Sequence, residues 1–143
     1  MEPPLNQKTS NQDSVQPHTR LLIADDNPGV VKALAVRLFS QGYECITALN
    51  GHEAMQFMAD PGIDALITDL DMPYLDGYSL IDLATEFKPC RCIVITGSAE
   101  KAMRCYREFP GVPVMMKPFE AEHIITALRE APLIGPRTTA EAA

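Results

Sequence analysis

Residues that do not suit apolar surroundings stand at the ends of short apolar runs in this sequence. Asp25 and Asp26 follow Leu21-Leu22-Ile23-Ala24, and Asp69 closes Ala65-Leu66-Ile67-Thr68. Thr96 follows Ile93-Val94-Ile95, and Lys117 follows Val114-Met115-Met116. Brought to one place, they form an acidic cluster with a hydroxyl and an ammonium beside it. Carboxylates held close together repel, so one keeps its proton unless a cation joins them. Oxygen ligands at this charge suit Mg2+ or Mn2+ rather than zinc. Mg2+ commonly sits on one or two carboxylates together with phosphate oxygens, which points to phosphoryl chemistry. The Lys117 ammonium and the Thr96 hydroxyl match the oxygens over which phosphoryl transfer spreads charge. A carboxylate such as Asp69 can itself be the nucleophile and become an aspartyl phosphate. Taken singly, each residue has a plainer role: Asp25, Asp26 and Asp69 as loop or cap residues, Thr96 near a helix N-cap, Lys117 on the surface, Asp71 and Asp76 as loop-formers. The joint occurrence at successive run ends carries the chemical expectation.

The elements that must position these residues alternate along the chain. Apolar strands are predicted at Arg20–Ala24, Tyr43–Leu49, Ile63–Asp69, Arg91–Thr96 and Val112–Met116. Between them lie helical patterns. Pro28 opens a helix running to about Gln41, with Val31, Leu34, Ala35 and Leu38 as its buried stripe and Gly42 as its cap. Asn50 and Glu53 make a capping-box spacing before a short helix that buries Ala54, Phe57 and Met58 and closes at Pro61-Gly62. A third helix runs from about Tyr78 to Phe87 on a stripe of Leu80, Leu83, Ala84 and Phe87. The fourth is expected to bury Ala99, Ala102, Met103 and Tyr106, and the fifth, Glu120 to Glu130, Ala121, Ile124, Ile125 and Leu128. Short strands that are apolar throughout belong in a parallel sheet covered on both faces, and right-handed crossovers put helices on either side. All the strand ends then lie on one edge, where open α/β sheets bind ligands. Residues 1–19, rich in Pro, Asn and Gln, are predicted to be a flexible arm, and 132–143 a flexible tail.

Composition narrows the function class. With 143 residues, 46% of them apolar, the chain can build one domain with a real core. A net charge of −7 argues against non-specific binding to DNA or anionic membranes. No apolar run approaches the ~18 residues of a membrane span, and no signal-peptide core is present, so a cytoplasmic protein is expected. Cys45, Cys90, Cys92 and Cys105 lack zinc spacing and are expected to be reduced thiols packed as small hydrophobes.

The stretches LLIADDN, LITDLDMPYLDGYSLI, IVITGSA and VMMKPF resemble the receiver domain of two-component response regulators over about residues 20 to 131. The resemblance implies a flavodoxin-like fold, strand order 2-1-3-4-5. It implies that Asp69 is the phosphoacceptor, taking a phosphoryl group from a phosphohistidine on a sensor histidine kinase or phosphotransfer protein. Asp26 would ligate Mg2+ directly, Asp25 would support it through water, and the backbone carbonyl of Asp71 would complete the protein's share of the shell. Thr96 would be the switch hydroxyl and Lys117 a phosphoryl contact, aimed by a cis peptide before Pro118. Asp71 and Ser98 occupy positions that tune phosphoryl lifetime in that family. Val114 stands where the family often has Tyr or Phe, and Phe109-Pro110-Gly111 where many members have Gly-Ala. With no output segment after residue 131, a stand-alone receiver is expected, signalling through a downstream protein without binding nucleic acid or membrane, and catalysing only its own phosphorylation and dephosphorylation. The same residues admit two other functions: a receiver-like binding module that works without phosphate, and a haloacid-dehalogenase-type phosphatase built on Asp69-Leu70-Asp71. The second lacks a first-strand location and a cap domain.

Overall fold

The computed structural model of the chain describes residues 19–86 and 88–136. Phe87, most of the expected N-terminal arm and the end of the expected C-terminal tail lie outside the described residues. Strands β1 (Arg20–Ala24), β2 (Glu44–Ala48), β3 (Ala65–Asp69), β4 (Cys90–Thr96) and β5 (Val114–Met116) alternate with helices α1 (Pro28–Phe39), α2 (Gly51–Met58), α3 (Gly77–Glu86), α4 (Ala99–Glu108) and α5 (Ala121–Glu130). These strands pair in parallel in the order β2-β1-β3-β4-β5, the order the resemblance implied.

Both faces of the central strands β1, β3 and β4 are buried, and alternate strand residues divide between them. Leu21, Ile23, Ala65, Ile67, Ile93 and Ile95 pack under α1 and α5, against Val31, Leu34, Leu38, Ile124, Ile125 and Leu128. Leu22, Leu66, Cys92 and Val94 face the other way, toward Ala54, Leu80, Ile81, Ala84 and Cys105 of α2, α3 and α4. Burial of side chains this size is worth roughly 1.5–3 kcal/mol each, which fixes the register and hence the level at which every strand end emerges.

Local signals set the helix starts. Asn27 Oδ1 accepts from Gly29 and Val30 N–H ahead of α1, with Pro28 at the first helical position. Asn50 Oδ1 accepts from Glu53 N–H at 2.8 Å, and Glu53 reaches back to Leu49 N–H at 2.8 Å. Asp76 Oδ1 accepts from Ser79 N–H ahead of α3. Gly42 has φ +99°, as a left-handed stop requires, although α1 itself ends at Phe39.

Three packing expectations are corrected. In α4 the buried residues are Ala102 and Cys105, while Met103 and Tyr106 are 56% and 53% exposed. The helix offers two overlapping stripes, and the one with small side chains lets it lie close to the sheet. In α2, Ala54 is buried and Phe57 is exposed. Regular structure also continues past α5: Leu133–Ile134 forms β6, antiparallel to Cys90 and Arg91. β5 covers only Val94 to Thr96 of β4, and β6 pairs with the lower part of the strand that β5 leaves bare.

Candidate acidic site at the sheet edge

Asp25 sits directly after β1 and Asp69 ends β3; both are buried, at 0% and 5% exposure, while Asp26 is exposed. Carboxylate oxygens of Asp25, Asp26 and Asp69 all lie within 4.8 Å of one another. Asp25 is oriented by its own loop, since its Oδ1 accepts from Asn27 N–H at 2.9 Å. Asp69 is held from behind by a close approach of chain. A Cβ on Gly77 would fall 2.3 Å from the Asp69 carbonyl oxygen, so only glycine lets α3 begin against the end of β3.

Lys117 closes the cluster. Its Nζ lies 2.8 Å from Asp25 Oδ2 and 3.2 Å from Asp69 Oδ2, and Lys117 N–H donates to Thr96 O at 2.9 Å. The Lys117–Pro118 peptide is cis. Burial and the neighbouring Asp25 charge push the Asp69 carboxyl above its ordinary value, with Lys117 only partly offsetting them. Burial would lower the Lys117 ammonium, but Asp25 and Asp69 outweigh it and raise it. Negative charge therefore exceeds what the lysine neutralises. Asp25 Oδ2 is buried with no hydrogen bond of regular geometry, only the Lys117 ion pair. An all-oxygen donor set with excess charge and an underused buried oxygen fits a hard divalent cation such as Mg2+.

Thr96 is buried at the end of β4, and its Oγ1 accepts from Ser98 N–H at 3.1 Å. Asp71 behaves differently from Asp69. Its N–H makes a long hydrogen bond to Asp69 Oδ1 at 3.4 Å, while its side chain is 78% exposed and pairs with Lys101 Nζ at 3.1 Å. That orientation disfavours Asp71 as a second catalytic acid of the phosphatase type. Val114 is half-buried on β5 beside Val94. Cys90, Cys92 and Cys105 are buried thiols, Cys45 is partly buried, and all four are free. No described helix is long and apolar enough to cross a membrane.

Sequence reasoning passed over Asn27, which orients Asp25, and Lys101, which holds Asp71. Asn27 was legible as the residue before a helix-starting Pro. Lys101 carried no signal beyond its place on a charged helix face.

A parallel sheet in this order brings carboxylates, a threonine and a lysine to successive strand ends. Comparison with known proteins assigns this arrangement to a family of signalling modules. A family model described as the response regulator receiver domain matches residues 21–129. The chain is 31% identical over 115 residues to the transcriptional regulatory protein GlrR of Escherichia coli, covering 78% of this chain and 26% of that one. It is 33% identical over 107 residues to the sensor histidine kinase RcsC of Salmonella typhimurium, covering 71% of this chain and 11% of that one. It thus spans about a quarter or less of these relatives. Among solved structures, the CheY-like receiver domain protein of Methanospirillum hungatei superposes with a TM-score of 0.70 at 23% identity, over 79% of this chain and 92% of that one. A response regulator from Burkholderia pseudomallei with a phosphorylated aspartic acid, calcium ion and citrate superposes with a TM-score of 0.65 at 28% identity, over 78% and 66%. The chain belongs to the response regulator receiver domain family.

Proposed function

We propose that Asp69 is the phosphoacceptor, and that it takes its phosphoryl group from a phosphohistidine on a sensor histidine kinase or phosphotransfer protein. An Asp69 carboxylate oxygen attacks phosphorus, an O–P bond forms, the P–N bond to imidazole breaks, and the released ring nitrogen takes up a proton. The observation that carries this is the placement of the buried Asp69 carboxylate beside Asp25, Asp26 and Lys117. Asp25, Asp26, Asp69 and the Asp71 carbonyl would hold Mg2+ or Mn2+. When bound, that cation neutralises charge on the phosphoryl oxygens and on the attacking carboxylate. Lys117 orients one phosphoryl oxygen, as its ammonium already lies 3.2 Å from the acceptor. Thr96 donates its hydroxyl to another once phosphate is present. The phosphorylated aspartate and calcium ion of the Burkholderia relative support this assignment.

The receiver unit on this reading is residues 20–131, with 1–19 and 132–143 as flanking segments. It catalyses only its own phosphorylation and dephosphorylation, works in the cytoplasm, and passes its state to a protein partner rather than to nucleic acid or membrane. The net charge of −7 favours that last choice. The test is intact mass after incubation with acetyl phosphate and Mg2+. Wild type is expected to gain one phosphoryl group and Asp69→Asn none; no gain in wild type, together with no Mg2+-dependent binding of beryllofluoride, contradicts the proposal.

A further inference from the structure

Two lines of contacts leave the central strand ends and meet on one residue of α4. From β3, Asp71 N–H donates to Asp69 Oδ1, and Asp71 Oδ2 lies 3.1 Å from Lys101 Nζ. From β4, Thr96 Oγ1 accepts from Ser98 N–H, and Ser98 Oγ accepts from Lys101 N–H, each at 3.1 Å. The Lys101 carbonyl in turn accepts from the Tyr78 hydroxyl of α3 at 2.9 Å. Arg104, one turn on, stacks its guanidinium over the Tyr78 ring at 3.8 Å. Lys101 is therefore engaged by its ammonium, its N–H and its C=O, to the acceptor loop, the Thr96 loop and α3 respectively.

Both lines begin beside Asp69: Asp71 N–H touches its Oδ1, and Thr96 ends the strand that pairs with β3. A phosphoryl group on Asp69 changes the field at the Asp71 backbone that touches it. It also offers the Thr96 hydroxyl new acceptor oxygens, and a hydroxyl that turns toward them leaves Ser98 N–H to find another partner. Both disturbances reach α4 at its first turn, where the helix is held by the Ser98 cap and the Asp71 ion pair. The pair is half-exposed and weak by itself, so a modest change in charge suffices to break or remake it. The far side of α4 carries Met103 and Tyr106 in solvent, so a shift of the helix moves an apolar surface.

We propose that Lys101 is the positioning residue through which the state of Asp69 is transmitted to α4. This rests on Asp69 being the phosphoacceptor, and the test separates the two ideas. The full-length protein is titrated with Mg2+ and beryllofluoride, and 19F NMR of the bound anion reports occupancy. Hydrogen exchange of the Ala99–Glu108 amides reports α4. Wild type binds the anion and changes its α4 exchange. Lys101→Met, at a partly exposed position, binds equally well, but its α4 response is about threefold smaller, the scale set by losing a half-exposed ion pair. Lys101→Arg restores the response. An α4 response in Lys101→Met equal to wild type, a loss of anion binding in that variant, or a wild type that binds without any α4 response overturns the proposal. A wild type that binds no anion overturns the phosphoacceptor assignment beneath it.

Discussion

Lys117 and Asp69 are 48 residues apart in sequence, and the Lys117 ammonium lies 3.2 Å from an Asp69 carboxylate oxygen. They come from β3 and from the turn after β5, the strands on either side of β4. The same ammonium lies 2.8 Å from Asp25 after β1. One cation thus spans the strand ends and is shared by two buried acids.

The buried acids make the stability of the metal-free domain depend on pH. The Asp69 carboxyl is raised above its ordinary value of 3.8, first by burial and then by Asp25. Between 3.8 and the raised value the folded state binds more protons than the unfolded one, so stability falls as pH rises through that window. Above it the full penalty persists. Asp69→Asn is therefore expected to be more stable than wild type at neutral pH in EDTA. The gain should shrink as pH is lowered below the window, measured by urea denaturation at several pH values.

Removing the cation should do the opposite. Lys117→Met leaves the buried carboxylates of Asp25 and Asp69 without their shared cation, and a loss of roughly 1–2 kcal/mol is expected once the partial exposure of the lysine is allowed for. The Lys117 ammonium is raised, so its contribution is fully present at neutral pH and is lost only as pH climbs through its own alkaline range. The deficit of the variant, read from denaturation midpoints, should be smaller in acid, where Asp69 takes up its proton.

A divalent cation should relieve the same strain of charge. Mg2+ at a hundredfold excess over its Kd adds about 2.7 kcal/mol to the folded state. Thermal melts of wild type should rise by several degrees on adding Mg2+ and fall back with EDTA. Asp26→Asn, at an exposed position that leaves the core intact, should show little of this response.

How much of this was legible depended on the kind of residue. The strand ends were plain because buried parallel strands are unbroken apolar runs, and an Asp, Thr or Lys closing one has no packing reason to be there. The α4 face was misjudged because Ala102 belongs to two stripes, and only the packing distance to the sheet chooses Cys105 over Met103. β6 was invisible: a two-residue strand after Pro132 has no periodicity, and its partner is the edge that a short β5 leaves uncovered. Asp71 could be recognised as a loop residue, but its turn toward Lys101 depends on where α4 begins.

The role of Gly77 emerges from distances. A methyl group there meets the Asp69 carbonyl at 2.3 Å and Leu70 Cα at 2.8 Å. Neither is a flexible side-chain end, so α3 or the end of β3 must move. Gly77→Ala is expected to cost about 3 kcal/mol, at the upper end for overpacking. It should also blunt the Mg2+-induced rise in melting temperature, because the displaced atoms carry Asp69.

The central claim concerns which carboxylate forms the bond to phosphorus. An aspartyl phosphate is an acyl phosphate, and borohydride reduces it to homoserine at the modified residue. The protein should be phosphorylated with acetyl phosphate and Mg2+, reduced, digested and mapped by tandem mass spectrometry. Homoserine at position 69, and at no other aspartate, is the expected result. Homoserine at Asp25, Asp26 or Asp71 instead, or a phosphorylated protein that yields none, would contradict the account.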